Sequence, residues 1–288
     1  MRPIAPASAL RNQKVSAAEH LAYDPFVLWL EGVCCQRGGV PVIDTVTFGV
    51  ARSELIVVQG EAGSGKSTLL ELAAALRTPD RGAVWFAGRN ISTLQQASLP
   101  FVRRNIGYAT TDPLLVLEDS ALDNVAMALA VRGETPRRAL ELARDALAWV
   151  GAADLEERAV STLSAGQKRV VALARAVAGP PSLIVADEPG AGAGDHLRAT
   201  IVTVLGAARD AGAAVLAATA DSSLADRLVE LGGRRIHLEQ GRVAGAPAVG
   251  LVPDFTPAPT ADLPPVALTP VRDLEACVEG SPARKGPA

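Results

Sequence analysis

A glycine-rich loop between a short apolar run and a helix-favouring stretch most limits how this 288-residue chain can fold. Residues Gly60 to Thr68 read GEAGSGKST, which fits the pattern G-x-x-x-x-G-K-[ST]. Glycines let the backbone curl so that its N–H groups point at phosphate oxygens, and the following helix presents its positive end to the same anion. Leu55 to Val58 is typical of a buried strand, and Ser67 to Leu76 is predicted as the helix. The segment therefore predicts a phosphate-binding site.

The residues of this loop have distinct expected tasks. We expect Lys66 to reach the β- and γ-phosphates of a nucleotide and the Ser67 hydroxyl to ligate Mg²⁺. The alternative is a Gly/Ser-rich turn that happens to contain a lysine, and the strand before the loop and the helix after it favour the phosphate loop. The residues predicted to bind the nucleotide here are Gly60, Gly63, Ser64, Gly65, Lys66, Ser67 and Thr68.

A second segment ends in two acidic residues, and it restricts the reactions that the phosphate loop could serve. Leu183 to Ala186 is a short apolar run typical of a buried strand, and Asp187 and Glu188 follow it directly. Asp187 can hold Mg²⁺ through water, and Glu188 can orient an attacking water or accept its proton. The alternative is two acids in a loop after a core strand. Together with the phosphate loop, the segment predicts hydrolysis of a nucleoside triphosphate, with Lys66 and Glu188 as catalytic residues.

Short apolar runs alternate with helix-favouring stretches, which predicts an α/β fold with a parallel sheet covered on both faces. The predicted strands are Val27–Val33, Val46–Val50, Leu55–Val58, Leu183–Ala186, Ala214–Thr219 and a hairpin over Arg234–Val243. The predicted helices are Ser67–Leu76, Ala121–Val131, Pro136–Val150, Ala165–Ala178 and Leu197–Ala211. Residues from about 90 to 178 are predicted as a mostly helical insertion between two core strands.

The two ends of the chain differ from its middle. Residues 1–24 mix Pro, Ala, Ser and charged residues without periodicity, and they are predicted as a loose leader. Residues 245–288 hold nine of the chain's 20 prolines and only short apolar pieces. Such a segment cannot bury enough surface to offset its ordering entropy, which predicts a disordered tail, either passive or partner-binding. The folded domain is expected over residues 25–244.

Composition excludes several classes of protein. Apolar residues make up 49% of the chain, which allows a sizeable core and excludes wholesale disorder. The formal net charge of −3 argues against a nucleic-acid partner. No apolar stretch reaches the roughly 18–20 residues of a membrane span, and the beginning of the chain shows no signal-peptide pattern. Cys34, Cys35 and Cys277 fit neither a disulfide framework nor a zinc site.

The segment before the acidic strand carries the discriminating motif. Leu163 to Arg169 reads LSAGQKR and precedes an Ala/Val-rich stretch. Ser164 and Gln167 have the spacing of a capping box, so the segment is expected to begin a helix whether or not it has a function. Gly179 and Pro180 then end that helix in the ordinary way.

These motifs together resemble the ATP-binding-cassette (ABC) ATPase family. The LSAGQ segment resembles the family signature, and its place between the phosphate loop and the Asp187–Glu188 strand matches the family order. The resemblance covers about Val27 to Ala244. Arg103–Tyr108 and Asp123–Val125 resemble the branch that contains lipoprotein-export, macrolide-efflux and cell-division ATPases.

The resemblance implies a fold, a cofactor and partners. The fold is a P-loop ATPase core of mostly parallel sheet, with an antiparallel β subdomain and an inserted helical subdomain. ATP with Mg²⁺ would lie between the phosphate loop of one subunit and Ser164, Gly166 and Gln167 of another, in a homodimer or a heterodimer. The helical insertion would contact a separate membrane permease. The protein would then be cytoplasmic and peripheral on the inner face of the cell membrane.

Four positions depart from the family pattern. Arg37 stands where the family has an aromatic residue that stacks on adenine, and a guanidinium plane can also stack on a base. Thr111 replaces the coupling glutamine, with a shorter reach to Mg²⁺ or water. Gly190 to Gly194 replaces the usual loop, and its aspartate comes one place late, at Asp195. Ala220 replaces the switch histidine, so no side chain there can donate to the γ-phosphate.

The departures leave two functional hypotheses open. The first is the ATPase subunit of a membrane transporter, with impaired hydrolysis at its own phosphate loop because Ala220 lacks a donor. His196 is either a compensating donor or simply an exposed residue before a helix. The second hypothesis is a regulatory module that binds ATP with little turnover. A DNA-repair or translation ATPase fits poorly, because the sequence shows no coiled-coil insertion, second cassette or basic patch.

Overall fold

The computed structural model of the chain describes residues 26–110 and 112–244. The predicted leader, the predicted tail and Thr111 lie outside the described residues. The strands are β1 Phe26–Arg37, β2 Val40–Ala51, β3 Leu55–Gln59, β4 Arg81–Phe86, β5 Arg89–Asn90, β6 Ile106–Thr110, β7 Leu183–Asp187, β8 Ala214–Thr219, β9 Arg234–Glu239 and β10 Arg242–Val243. The helices are α1 Lys66–Ala73, α2 Leu99–Arg103, α3 Ala121–Val131, α4 Pro136–Trp149, α5 Ala165–Val177, α6 Asp195–Asp210 and α7 Ser222–Glu230.

The larger sheet carries the phosphate loop and the acidic segment at the same end, where its parallel strands have their carboxyl termini. Its strand order is β10-β9-β3-β8-β7-β6, and β9, β3, β8, β7 and β6 run parallel. β8 lies between β3 and β7, so the carboxyl ends of all three strands meet side by side. The predicted α/β fold is confirmed, and β9 and β10 form the predicted hairpin.

A smaller antiparallel sheet of order β2-β1-β4-β5 packs beside the first. β1 and β2 form a long hairpin whose last pair is Arg37 with Val40. Gly38 and Gly39 both have positive φ, at 58° and 81°, which a tight turn of this kind demands of its central residues. The antiparallel β subdomain that the family resemblance implied is therefore present.

Two apolar clusters lie on opposite faces of the larger sheet. Alternate residues of β3 divide between them, since Leu55 and Val57 join the cluster that contains α3 to α7, while Ile56 and Val58 join the cluster around α1 and the smaller sheet. β7 divides in the same way. A strand buried on both faces needs an unbroken apolar run, and this explains why β3, β7 and β8 are continuous apolar segments in the sequence.

The helical insertion begins later than the sequence predicts. The stretch from about residue 90 contains β6, which pairs in parallel with β7 and belongs to the larger sheet. Helices α3, α4 and α5 follow it. Gly107 allows this placement, because a Cβ there would lie 1.9 Å from the Ala176 carbonyl oxygen. The patterns also missed β4 and α7. None of the helices within residues 26–110 and 112–244 is long and apolar enough to cross a membrane.

Candidate nucleotide-binding site

The phosphate loop takes its shape from close backbone packing. Gly63 and Gly65 have φ of 83° and 103°, a left-handed conformation that favours glycine. A Cβ on Gly65 would lie 2.7 Å from the Val42 carbonyl oxygen, and one on Gly60 would lie 2.4 Å from that of Leu238. The loop is thus held between β2 and β9, and α1 begins at Lys66 directly after it.

Lys66 lies inside the loop rather than in solvent. Its side chain is 6% exposed, and its Nζ donates to the carbonyl oxygens of Gly60 at 2.8 Å and Glu61 at 2.9 Å. The same ammonium lies 3.4 Å from Glu188 Oε1. The structure therefore brings together two side chains that the sequence predicted as a catalytic pair, although 122 positions separate them in the chain.

Asp187 ends β7 beside the beginning of α1. It is buried, and burial raises the pKa of its carboxyl group, while the Ser67 hydroxyl acts in the opposite direction. Its Oδ1 makes no hydrogen bond to any residue of the described ranges. A buried carboxylate oxygen without a partner is costly, and the carboxyl group of Asp187 interacts with the Ser67 hydroxyl of the phosphate loop.

Glu188 is held by the neighbouring strand. Its backbone has φ of 45°, and its carboxylate accepts hydrogen bonds from Thr219 Oγ1 at 3.0 Å and from the Ala220 N–H at 2.8 and 3.0 Å. The sequence analysis missed Thr219. In the sequence, Thr219 could have been noticed as the polar residue that ends the apolar run 214–219. The structure then pairs this run with the strand that ends in Asp187.

Ala220 contributes its backbone but no side-chain donor. It is exposed and lines a cavity of about 930 Å³ beside the phosphate loop, together with Ser222 and His237. His196 is exposed in the first turn of α6, and it does not line this cavity. The described residues that line the cavity therefore offer His237 as their one imidazole, on β9.

The signature segment forms the predicted capping box. The Gln167 N–H donates to Ser164 Oγ at 3.3 Å, and the Ser164 N–H donates to Gln167 Oε1 at 3.0 Å. No described residue outside its own helix turn has an atom within 4 Å of a Cβ built on Gly166, and its φ is not positive. None of these residues is among the described residues lining the cavity beside the phosphate loop. The structure does not bring the signature to the phosphate loop of its own chain.

The loop after Glu188 is tied to the signature helix α5, and the helix that follows the loop is tied to α7. The Arg169 guanidinium on α5 donates to the Ala191 carbonyl oxygen. Arg198 on α6 lies 3.1 Å from Asp221, which caps the beginning of α7. The glycine-rich replacement for the family loop is thus anchored from the signature helix.

Arg37 is paired with an acid of α1. Its Nη2 donates to both carboxylate oxygens of Glu71, at 2.6 and 2.7 Å, and Arg77 Nε donates to Glu71 Oε2 at 2.8 Å. Arg37 is 47% exposed. Thr111, the predicted replacement for the coupling glutamine, lies outside the described residues. Cys34 and Cys35 are buried free thiols, and no group of three or more His, Cys, Asp or Glu side chains that could hold a metal ion occurs within the described ranges.

A phosphate loop, a buried aspartate and a neighbouring glutamate at one edge of a parallel sheet define a P-loop nucleoside triphosphatase. Comparison with known families gives the particular class, since the family model "ABC transporter" matches residues 43–191. This chain belongs to the ABC transporter ATP-binding family, as its motifs predicted. It is therefore an ABC-type ATPase and an ATP-binding subunit of an ABC transporter.

Individual relatives agree with this assignment. The lipoprotein-releasing system ATP-binding protein LolD of Bordetella pertussis is 37% identical over 206 residues, which is 71% of this chain and 87% of the relative. The cell division ATP-binding protein FtsE of Escherichia coli K12 is 34% identical over 190 residues, or 66% and 86% of the two chains. These similarities fit the lipoprotein-export branch.

Solved structures support the same fold. The ATP-binding cassette MJ0796, determined as a dimer in a post-hydrolysis state with ADP and Pi, superposes with a TM-score of 0.70 and 26% identity. The match covers 75% of this chain and 96% of that one. A cassette of the cbiONQ transporter complex from Clostridium perfringens has a TM-score of 0.66 at 24% identity, which shows a common fold.

Proposed function

We propose that this subunit powers a separate membrane permease through nucleotide-driven dimerisation, and that hydrolysis at its own phosphate loop is impaired. One observation carries the proposal. Lys66 and Glu188 lie beside the phosphate loop. Ala220 stands where a donor side chain is expected, and it can offer only its backbone N–H. The cassette is taken as residues 25–244, with residues 1–24 as a leader and residues 245–288 as a separate tail.

Mg²⁺ fits the oxygen atoms at the end of β7. Hard oxygen ligands suit this ion, and Asp187 Oδ1 is a buried carboxylate oxygen with no hydrogen-bond partner among the described residues. The Ser67 hydroxyl interacts with the same carboxyl group. Ser67 and Asp187, with Thr111 as a further candidate, would hold Mg²⁺. When bound, the ion neutralises charge on the phosphate oxygens.

Residues of this chain would bind the phosphates and orient the attacking water. Gly60, Gly63, Ser64, Gly65 and Thr68 form or follow the loop whose N–H groups would surround the phosphates. Lys66 places a positive charge beside them. Glu188, oriented by the Thr219 hydroxyl and the Ala220 N–H, is positioned to orient a water molecule and accept its proton.

The missing donor sets the expected size of the defect. Loss of one preorganised donor to a transition-state charge costs on the order of 10²–10³ in rate. Because Glu188 is retained, we expect slow hydrolysis rather than none. A complete partner cassette would let one of the two shared sites work well, whereas a homodimer would carry the defect twice.

Dimerisation is supported by the signature segment. Among the described residues outside its own helix turn, none has an atom within 4 Å of a Cβ built on Gly166, and its φ is not positive. Nothing in the described part of the fold therefore requires a glycine there. A residue without a side chain leaves room for another molecule to approach the beginning of α5, where Ser164, Gly166, Gln167 and the helix dipole would face a partner's γ-phosphate. The similar cassette MJ0796 is a dimer.

We propose that the helical subdomain carries the permease contact. Leu114, Val116 and Leu117 are exposed apolar residues in the segment that follows β6, at 83%, 40% and 46%. Exposed apolar side chains near one another are typical of interaction surfaces. An apolar helix of a membrane permease fits this surface, and binding there would make the protein peripheral on the inner face of the membrane. The net charge of −3 gives no support to a nucleic-acid partner.

A hydrogen bond between the signature helix and the exposed apolar segment favours this transporter function over the alternative, a regulatory module with little turnover. Arg175 on α5 donates to the carbonyl oxygen of Leu114 at 2.6 Å, so the signature helix is linked directly to the exposed apolar segment. A module that only senses ATP does not require such a link. The regulatory function keeps the support of three departures from the family pattern, at Thr111, Gly194 and Ala220.

Three measurements test the proposal. The purified chain is expected to bind ATP, to hydrolyse it slowly, and to co-purify from membranes with a permease whose identity mass spectrometry establishes. Glu188→Gln should abolish the residual ATPase rate while ATP binding persists. A wild-type rate as fast as ordinary transport ATPases would refute the impairment. Slow turnover without any membrane partner would favour the regulatory module.

A further inference from the structure

We propose that Arg198 is a positioning residue for ATP hydrolysis, because a continuous set of contacts leads from it to Glu188. The contacts pass through Asp221 and Thr219, at the carboxyl end of β8. The inference deepens the proposed function, and it rests on the role given there to Glu188 as the carboxylate that orients the attacking water.

The Thr219 hydroxyl has one direction in which it can donate. Thr219 is 1% exposed, and its Oγ1 accepts a hydrogen bond from the Asp221 N–H at 3.0 Å. Glu188 Oε2 lies 3.0 Å from the same hydroxyl oxygen. A backbone N–H can only donate and an ionised carboxylate can only accept, so the single hydroxyl proton points at Glu188. The position of Asp221 therefore sets the direction of a donor that holds Glu188.

Asp221 is itself held from two helices. Its Oδ1 accepts hydrogen bonds from the N–H groups of Ser223 at 3.0 Å and Leu224 at 3.3 Å, which cap the beginning of α7. Its other carboxylate oxygen, Oδ2, lies 3.1 Å from Arg198 Nη2 on α6. The cap fixes one oxygen and the arginine the other. The residue that directs the Thr219 hydroxyl is thus held by α6 as well as by its own helix.

Arg198 has no other ionic partner among the described residues. Its side chain is 29% exposed, so much of the guanidinium is removed from water, and the attraction to Asp221 is screened less than at an open surface. Its Nε is buried and makes no hydrogen bond within the described ranges, which is unfavourable. An arginine that served only the solubility of α6 would extend into the solvent. The ion pair with Asp221 is therefore the interaction that accounts for its position.

The loop that precedes α6 contacts both ends of this set. The Ala191 N–H donates to the Glu188 carbonyl oxygen at 3.0 Å, and a Cβ built on Gly190 would lie 3.8 Å from Arg198 Cγ. α6 begins at Asp195, directly after the loop. A displacement of the loop would move the backbone of Glu188 together with the arginine that supports its carboxylate.

The test compares ATP hydrolysis and ATP affinity in variants of the full chain. Arg198→Met keeps the length of the side chain without its charge, and it should lower kcat about fivefold while calorimetry shows an unchanged ATP affinity. Arg198→Lys keeps a positive charge beside Asp221 and should restore most of the rate. Arg227→Met removes an exposed arginine of α7 and, as the matched control, should hydrolyse ATP like the wild type.

Double variants distinguish positioning from general stabilisation. Thr219→Val removes the hydroxyl but keeps the shape of the side chain, and it should lower kcat about tenfold. Adding Arg198→Met to Thr219→Val should lower the rate no further, because the connection to Glu188 is already cut. Asp221→Asn keeps the cap of α7 without the ion pair. It should match Arg198→Met, and the two together should be no slower than either alone.

The possible failures are distinguishable. Far-UV circular dichroism checks that each variant is folded, and if Thr219→Val does not fold, the pair of Arg198→Met and Asp221→Asn supplies the same cycle. An unchanged kcat in Arg198→Met, a loss of ATP affinity in its place, or an equal further loss in the Thr219→Val background would overturn the inference. A wild type without turnover, or a Glu188→Gln variant as fast as the wild type, would overturn the proposed function itself.

Discussion

Lys66 Nζ lies 3.4 Å from Glu188 Oε1, so the lysine of the phosphate loop and the glutamate after β7 form an ion pair. The lysine is almost fully buried, and its other bonds go to the Gly60 and Glu61 carbonyl oxygens. A nucleotide phosphate would offer this ammonium a stronger acceptor than the two neutral carbonyls. We therefore expect nucleotide binding and catalysis to depend on the same side chain.

Lys66→Ala is expected to abolish detectable ATP binding. The substitution removes the positive charge that would balance the phosphates and leaves Glu188 without its ionic partner. Calorimetry with ATP and Mg²⁺ measures the loss, and far-UV circular dichroism checks that the variant is folded. An affinity equal to that of the wild type would show that the nucleotide binds elsewhere.

Ala220→His is expected to raise the ATPase rate by about tenfold or more, because it restores a side-chain donor beside Glu188. Ala220 is exposed at the carboxyl end of β8, so the larger side chain does not need space in the core. The measurement is steady-state phosphate release. Ala220→Leu adds bulk without a donor and should show no gain. An unchanged rate in Ala220→His would contradict the explanation of impaired hydrolysis by a missing donor.

Glu71 gives a pH-dependent contribution to stability with a defined sign. Burial raises the pKa of its carboxyl group, but hydrogen bonds from Arg37 and Arg77 outweigh it and lower the pKa below the ordinary 4.5. The folded protein therefore releases this proton more readily than the unfolded chain. The ion pairs of Glu71 with Arg37 and Arg77 stabilise the fold above pH 4.5. This contribution is lost as the pH falls through the lower pKa of the folded state.

The comparison of wild type with Glu71→Gln measures this effect. Urea unfolding is followed from about pH 7 down to about pH 3. The difference in free energy of unfolding between the two proteins should be largest near neutral pH and should shrink below pH 4.5. A difference that stays constant over this range would show that Glu71 titrates in the same way in both states.

Replacement by alanine should affect stability differently at two glycines. Gly166 lies on α5, and Gly107 lies on β6 and packs against α5. Gly107→Ala is expected to destabilise the protein by about 2 kcal/mol, because the new Cβ would lie 1.9 Å from the Ala176 carbonyl oxygen. Gly166→Ala has open space and should leave the melting temperature equal or slightly higher. Gly166→Ala should nevertheless weaken ATP-dependent dimerisation, as measured by light scattering. Unimpaired dimerisation would contradict close approach of a partner at the signature.

The sequence predicted the elements that are encoded locally. The phosphate loop, the strand before Asp187 and the capping box at Ser164 each occupy a few consecutive residues, and each has its own physical signature. The middle of the chain was less predictable. β6 is only five residues long and contains Gly107, so its pattern did not separate it from the helices that follow. Its place in the sheet depends on pairing with β7, which lies far along the chain.

By itself, the sequence determined the class of fold and the residues that form each short motif, because a loop, a cap or a buried strand depends on nearest neighbours. Only the tertiary structure decided which side chains from distant segments meet. Strand order and register place Thr219 beside Glu188, 31 residues away, and pair Arg37 with Glu71 across 34 residues. Such contacts depend on how the sheets pack against α1, so no local pattern in the chain encodes them.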